Sequence, residues 1–211
     1  MKDALTIAET RAMFCFVAQK MIDSQDRLTA ADRAIGDGDH GVGMTRGFEA
    51  VLAALQDEDS PDLKCLFNRI GMALLTSVGG AAGVIFGTWF TGSGKGLAGK
   101  TSFDREGLVL FLQDGCRAVQ ARGKAKAGDK TMLDALLPAG LAAEESGQAS
   151  LAVVLARAVR AAQAGVIATQ GMVATVGKAK ALGERSLGYA DPGALSTSLI
   201  LEYIDAYIHE N

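Results

Sequence analysis

Asp32, Asp37 and Asp39 fall within eight positions, and His40 follows directly. They sit in the stretch ADRAIGDGDHGVGMTRGF, residues 31–48. Three carboxylates this close repel one another unless a cation joins them. Acceptor-only oxygens suit a hard divalent ion such as Mg²⁺ or Ca²⁺. Two Mg²⁺ ions would exceed the charge of these three carboxylates, and the excess would attract a polyphosphate. Gly36, Gly38, Gly41 and Gly43 allow tight turns and close backbone approach to a ligand. His40 beside the carboxylates can be held protonated and so donate to a phosphate oxygen. The bland alternative is a solvated polar loop in which an Asp caps the next helix. The third Asp, the histidine and the glycines weigh against it. An EF-hand also begins Asp37-Gly38-Asp39, but its fifth position would be Gly41 and its sixth Val42, where an oxygen ligand and a glycine belong.

Other loops carry weaker signals. Gly79-Gly80-Ala81-Ala82-Gly83 precedes a helical stretch, and backbone N–H groups at a helix N-terminus suit phosphates. A tight helix–helix connection explains the same glycines equally well. Arg122–Met132 is basic and punctuated by Gly123 and Gly128; it reads as a helix connection with Asp129 as a cap, or as a nucleotide contact with Met132 against the base. Gly94–Thr101 matches the P-loop pattern G-x-x-x-x-G-K-T, which would give Lys100 and Thr101 the phosphates. A P-loop needs a parallel sheet with crossover connections of a dozen or more residues. Only six residues separate Thr101 from the next apolar run at Leu108.

The elements that must position these loops read as helical. Prolines number only three, Ala and Leu dominate between the glycine clusters, and both favour helix. Helices are predicted over 4–24, 44–56, 61–77, 84–99, 104–122, 129 onward, 150–168 and 192–210. Ser60-Pro61 and Asp191-Pro192 each pair a cap residue with a first-turn proline. Polar loops are expected over 32–43, 79–83, 123–128 and 171–191. The fold class is therefore all-α. About eight helices with short connections favour antiparallel neighbours in a bundle or closed barrel. No linker or composition shift divides residues 1–211, so a single domain is expected.

Composition narrows the function. Hydrophobic residues are 49% and charged residues 21%, as in folded soluble chains. The net charge of −3 argues against nucleic-acid binding and a polybasic membrane surface. Three scattered cysteines without a C-x-x-C fit reduced thiols in a cytoplasm. No run of 18 apolar residues suggests a membrane span, and Asp3 and Glu9 interrupt any signal-peptide core.

Taken together, the loops resemble the nucleotide-binding L subunit of the dihydroxyacetone kinase family. The matching segments are LTAADRAIGDGDHGVGMTRGF, GMALLTSVGGAAGVIFGTWF, GDKTMLDALLPA and GKAKALGERSLGYADPGALS, in that order. The resemblance implies a closed barrel of eight antiparallel amphipathic helices, with ADP or ATP and two Mg²⁺ held by loops at one end. It implies Asp32, Asp37 and Asp39 as Mg²⁺ ligands and His40, Gly41, Val42 and Gly43 against the phosphates. Ala81 and Ala82 match the nucleotide loop, Gly123 and Met132 the adenine end, and Lys178, Asp191, Pro192 and Gly193 further nucleotide contacts. It also implies a separate K-type subunit that holds the ketose, and in some members a phosphotransferase-system phosphoprotein as donor. Departures from the family's common residues are Gly43 for Asn, Ala82 for Ser, Val84 for Pro, Lys178 for Arg and Tyr189 for His. Lysine lacks the bidentate fork of arginine. The competing expectations are a nucleotide-loaded binding module acting through protein contacts, and the P-loop enzyme.

Overall fold

The computed structural model describes residues 2–56 and 59–210. Among these are nine α-helices: α1 (Ile7–Asp23), α2 (Gln25–Ile35), α3 (His40–Leu55), α4 (Leu63–Ser77), α5 (Gly80–Ser93), α6 (Arg105–Gly123), α7 (Leu133–Glu144), α8 (Leu151–Ala168) and α9 (Pro192–Glu210). Short 3₁₀ segments cover Lys95–Leu97, Thr169–Gly171 and Lys178–Ser186.

Eight of the helices form a ring. In order, α1, α3, α4, α5, α6, α7, α8 and α9 each pack on the next, and α9 packs back on α1. The connections enforce this: Val78 and Gly79 alone join α4 to α5, so the chain can only reverse. Aromatic rings fill the middle. Phe14 of α1 lies 5.3 Å from Phe67 of α4 and 5.6 Å from Phe90 of α5, and Trp89 lies 5.2 Å from Phe111 of α6. Each such pair adds about 0.5–1.5 kcal/mol beyond the area it buries. Helix α8 with its continuation, Leu151–Gly171, is long and apolar enough to cross a membrane. Its buried face, Leu151, Val154, Leu155, Ala158 and Ala162, packs instead against α7 and α9.

The ninth helix, α2, stands outside the ring and packs on α3, α9 and the 178–186 segment. It was not expected, and it shortens the acidic loop to Gly36–Asp39. Asp32 therefore lies in the last turn of a helix, not in a loop. The chain start also differs from expectation. Ala4–Thr6 is a short strand paired antiparallel with Ser102–Asp104, Leu5 facing Phe103. Thr6 then caps α1 at Ile7 through a capping box with Glu9, because a helix start needs side-chain partners for its free N–H groups.

Two caps are corrected. Asp62, not Ser60, caps α4 by accepting from the Cys65 N–H. Asp129 does not cap α7: it accepts from the Lys126 N–H at 2.8 Å and the Thr175 hydroxyl at 2.7 Å. Asp134 instead receives Gly128 N–H at 2.5 Å and Thr131 N–H at 2.8 Å. The P-loop expectation fails. Val84–Phe90 lies inside α5, Leu108–Leu112 lies inside α6, and Lys100 pairs with Glu106 at 2.9 Å.

Candidate functional site

A cavity of ≈ 370 Å³ opens at one end of the ring, within the size range of small-molecule sites. Three helix N-termini meet there. α3 begins at His40 and α5 at Gly80, and neither has a side-chain cap bond. α9 begins at Pro192, with Asp191 accepting from the Ala194 N–H at 2.7 Å. Free N–H groups and the positive helix ends favour an anion. Gly79 makes the turn into α5 with φ +83°, a left-handed conformation costly to residues with a Cβ. Arg46, one turn along α3 from Val42, holds that turn: its guanidinium donates to the carbonyls of Ser77 at 2.5 Å and Val78 at 2.6 Å.

The acidic cluster borders the same cavity. Carboxylate oxygens of Asp32, Asp37 and Asp39 all lie within 4.8 Å of one another. Asp32 is buried and accepts from the His40 N–H at 3.2 Å; Asp37 and Asp39 are exposed. This all-oxygen set, one member fixed and two free to adjust, fits a hard divalent cation. The Lys178 ammonium lies 2.6 Å from Asp37 and 2.9 Å from Asp39. Its hydrogen bonds lower the Asp37 pKa below the usual carboxylate range, and the two aspartates raise that of Lys178.

Helix ends suited to an anion and carboxylates suited to a hard cation thus border one cavity at one end of an eight-helix ring. Residues 34–206 match the model of the DAK2 domain family. The chain belongs to this family. It is 39% identical over 179 residues to the Escherichia coli "PEP-dependent dihydroxyacetone kinase, ADP-binding subunit DhaL", covering 84% of this chain and 85% of that one. It is 35% identical over 191 residues to human "Triokinase/FMN cyclase", covering 89% of this chain but 33% of that one. The structure of the C. freundii dihydroxyacetone kinase in complex with AMP-PNP and Mg²⁺ superposes with a TM-score of 0.72 at 26% identity. That match covers 98% of this chain and 35% of the other, so this chain spans about a third of that longer protein.

Most of the DAK2-type site residues expected from sequence are gathered by the cavity. Asp32, Asp39, His40, Val42, Gly43, Ala81, Ala82, Met132, Lys178, Asp191, Pro192 and Gly193 line it. Asp37 joins through the carboxylate cluster. Gly41 and Gly123 are not among the lining residues. Gly41 is buried against α2, where a Cβ would overlap the Thr29 hydroxyl. Gly123 is exposed at the end of α6. His40 also departs from expectation. Its ring is buried, lies 6.2 Å from the Phe86 ring, and its Nε2 pairs with the Ser196 hydroxyl at 2.8 Å. Burial outweighs Asp32 and Asp39 and lowers its pKa, which favours the uncharged imidazole. It links the starts of α3 and α9.

Two lining residues had no sequence signal strong enough to single them out. Arg46 follows Val42 at helical spacing. Lys130 is buried with a left-handed backbone, φ +62°. Its ammonium donates at 2.5 Å to the carbonyls of both Thr169 and Tyr189, tying together the segments before α7 and α9. Burial lowers its pKa.

Burial pushes the neighbouring Asp191 carboxyl up to about 7. Unfolded, it titrates near 3.9. Between those values the folded state holds the extra proton, so this contribution is present at low pH and lost as pH rises through 7. Asp191→Asn keeps an acceptor for Ala194 and has no charge. Its melting temperature relative to the parent is expected to climb between pH 5 and pH 8. Parallel slopes in thermal melts of the two proteins would refute the assignment.

Proposed function

We propose that this chain is the nucleotide-holding subunit of a dihydroxyacetone-type kinase, acting with a separate K-type subunit that carries a short ketose. One observation carries the reading: three helix N-termini converge with three carboxylates on one cavity. Cations alone need only the carboxylates and anions alone only the helix ends. A metal-bound polyphosphate needs both. The names of the similar proteins, an ADP-binding kinase subunit and a triokinase, agree.

Asp32, Asp37 and Asp39 would hold two Mg²⁺. When bound, the metal would supply positive charge against the terminal phosphates of ADP or ATP. Phosphoryl transfer rests chiefly on such positioning and electrostatic stabilisation. The amides at the starts of α3 and α5 orient the phosphates. His40, through Ser196, keeps the α3 and α9 starts in register. Met132, Ile85 and Val176 line the cavity and offer apolar surface for a base. The acceptor hydroxyl and its base come from the partner. A cytoplasmic setting, with no membrane or nucleic acid, suits this chemistry.

The test is phosphotransfer to dihydroxyacetone by the purified chain with a K-type subunit. ATP and a phosphotransferase-system phosphoprotein are compared as donors. Transfer that needs both subunits and Mg²⁺ is expected. Stoichiometric nucleotide binding without transfer from either donor would overturn the kinase reading in favour of a nucleotide-loaded binding module.

A further inference from the structure

Lys178 stands where the proposed role would put a cation. Its ammonium reaches both oxygens of Asp37, at 2.8 and 2.6 Å, and one of Asp39 at 2.9 Å. These two residues supply the exposed part of the carboxylate cluster. Lys178 comes from far along the chain, at the start of the 178–186 segment, just after Gly177 with φ +70°. Val176, Gly177, Lys178 and Ala179 form one wall of the cavity. The same contact therefore offsets part of the cluster's charge and ties that wall to the α2–α3 loop.

A divalent ion drawing on Asp37 and Asp39 competes with the ammonium for the oxygens it holds. The ammonium brings one charge on a flexible stem, and ion pairs this exposed are weak, about 0–1 kcal/mol each. A divalent ion brings twice the charge and is bound directly by the carboxylates. We propose that Lys178 is a built-in substitute cation: it holds the metal-free cluster together and the cavity wall closed, and a divalent ion must expel it, freeing that wall. Metal binding and wall closure are thus competing events. This rests on the metal site of the proposed function and adds the order in which the wall moves.

The test uses the nucleotide-free full chain and Mn²⁺ as the probe. Mn²⁺ affinity is read by electron paramagnetic resonance, and mobility of residues 172–188 by amide hydrogen exchange. Lys178→Met is expected to bind Mn²⁺ roughly three- to tenfold more tightly than the parent, because one competing cation is gone. Lys178→Arg is expected to stay near the parent. In the parent, exchange in 172–188 is expected to rise as Mn²⁺ is added; in Lys178→Met it starts high and does not respond. Equal or weaker Mn²⁺ binding by Lys178→Met, with the parent binding normally, overturns the competition and leaves the metal site standing. So does an exchange rate in the parent that Mn²⁺ does not change. If neither protein binds Mn²⁺, the metal site itself falls, and the competition with it.

Discussion

Asp37→Asn is expected to abolish Mg²⁺-dependent nucleotide binding while leaving the fold intact. The two halves of that outcome have different causes. Asp37 is exposed and its partner is the exposed Lys178, so the folded chain loses one surface ion pair, worth about 0–1 kcal/mol. For a chain of this length that is a fall of at most roughly 2–4 °C in melting temperature. Binding suffers far more. Asparagine keeps one carbonyl oxygen but removes a full charge from a cluster of three. Loss of a residue that merely orients a metal ligand costs about 10–100-fold in affinity, so loss of a charged ligand is expected to cost more than about 100-fold. Calorimetric titration of ADP with Mg²⁺, beside a thermal melt, checks both halves. Undiminished binding in a folded variant would sink the assignment of Asp37 to the metal.

How far this site was legible depended on how local each feature is. Asp32, Asp37 and Asp39 declare themselves because their charges must be answered nearby, whatever the fold. The helix start at Asp191-Pro192 was legible because a cap bonds within three residues. Helix α2 was not. Its buried face is Leu28, Asp32 and Ile35, and the aspartate breaks the apolar period by which such a face is read. The strand pair joining Leu5 to Phe103 leaves no local signal in three-residue strands. His40 misled for a related reason. Its sequence neighbours are carboxylates, but Phe86 and Ser196, brought from α5 and α9, pack on it as well, and burial lowers the pKa that the carboxylates alone would raise. Lys130 was invisible because its two carbonyl partners lie 39 and 59 positions away. The all-α class came from composition, whereas the closure of eight helices into a ring came from the family resemblance.

Gly41 also has a packing role that its place beside the acidic loop conceals, and it sets the largest stability effect expected here. Read as a phosphate contact, it would tolerate alanine at some cost in binding alone. In the structure it packs directly against α2. A Cβ would overlap the Thr29 hydroxyl and the Gln25 carbonyl and lie 2.6 Å from the Thr29 nitrogen. Two of those three atoms are backbone, so no side-chain rotation relieves the overlap, and α2 must move away from α3. Overpacking of this kind costs about 1–3 kcal/mol, which lowers the melting temperature by roughly 2–12 °C at this chain length. Moving α2 also moves Asp32, which lies in its last turn and accepts from the His40 N–H. Gly41→Ala should therefore lose both stability and metal affinity, although its side chain never enters the cavity. Thermal melts and Mn²⁺ titration of the same preparation measure the two losses together. Weakened nucleotide binding with unchanged melting and unchanged Mn²⁺ affinity would show that Gly41 acts at the phosphates alone and would refute the packing role.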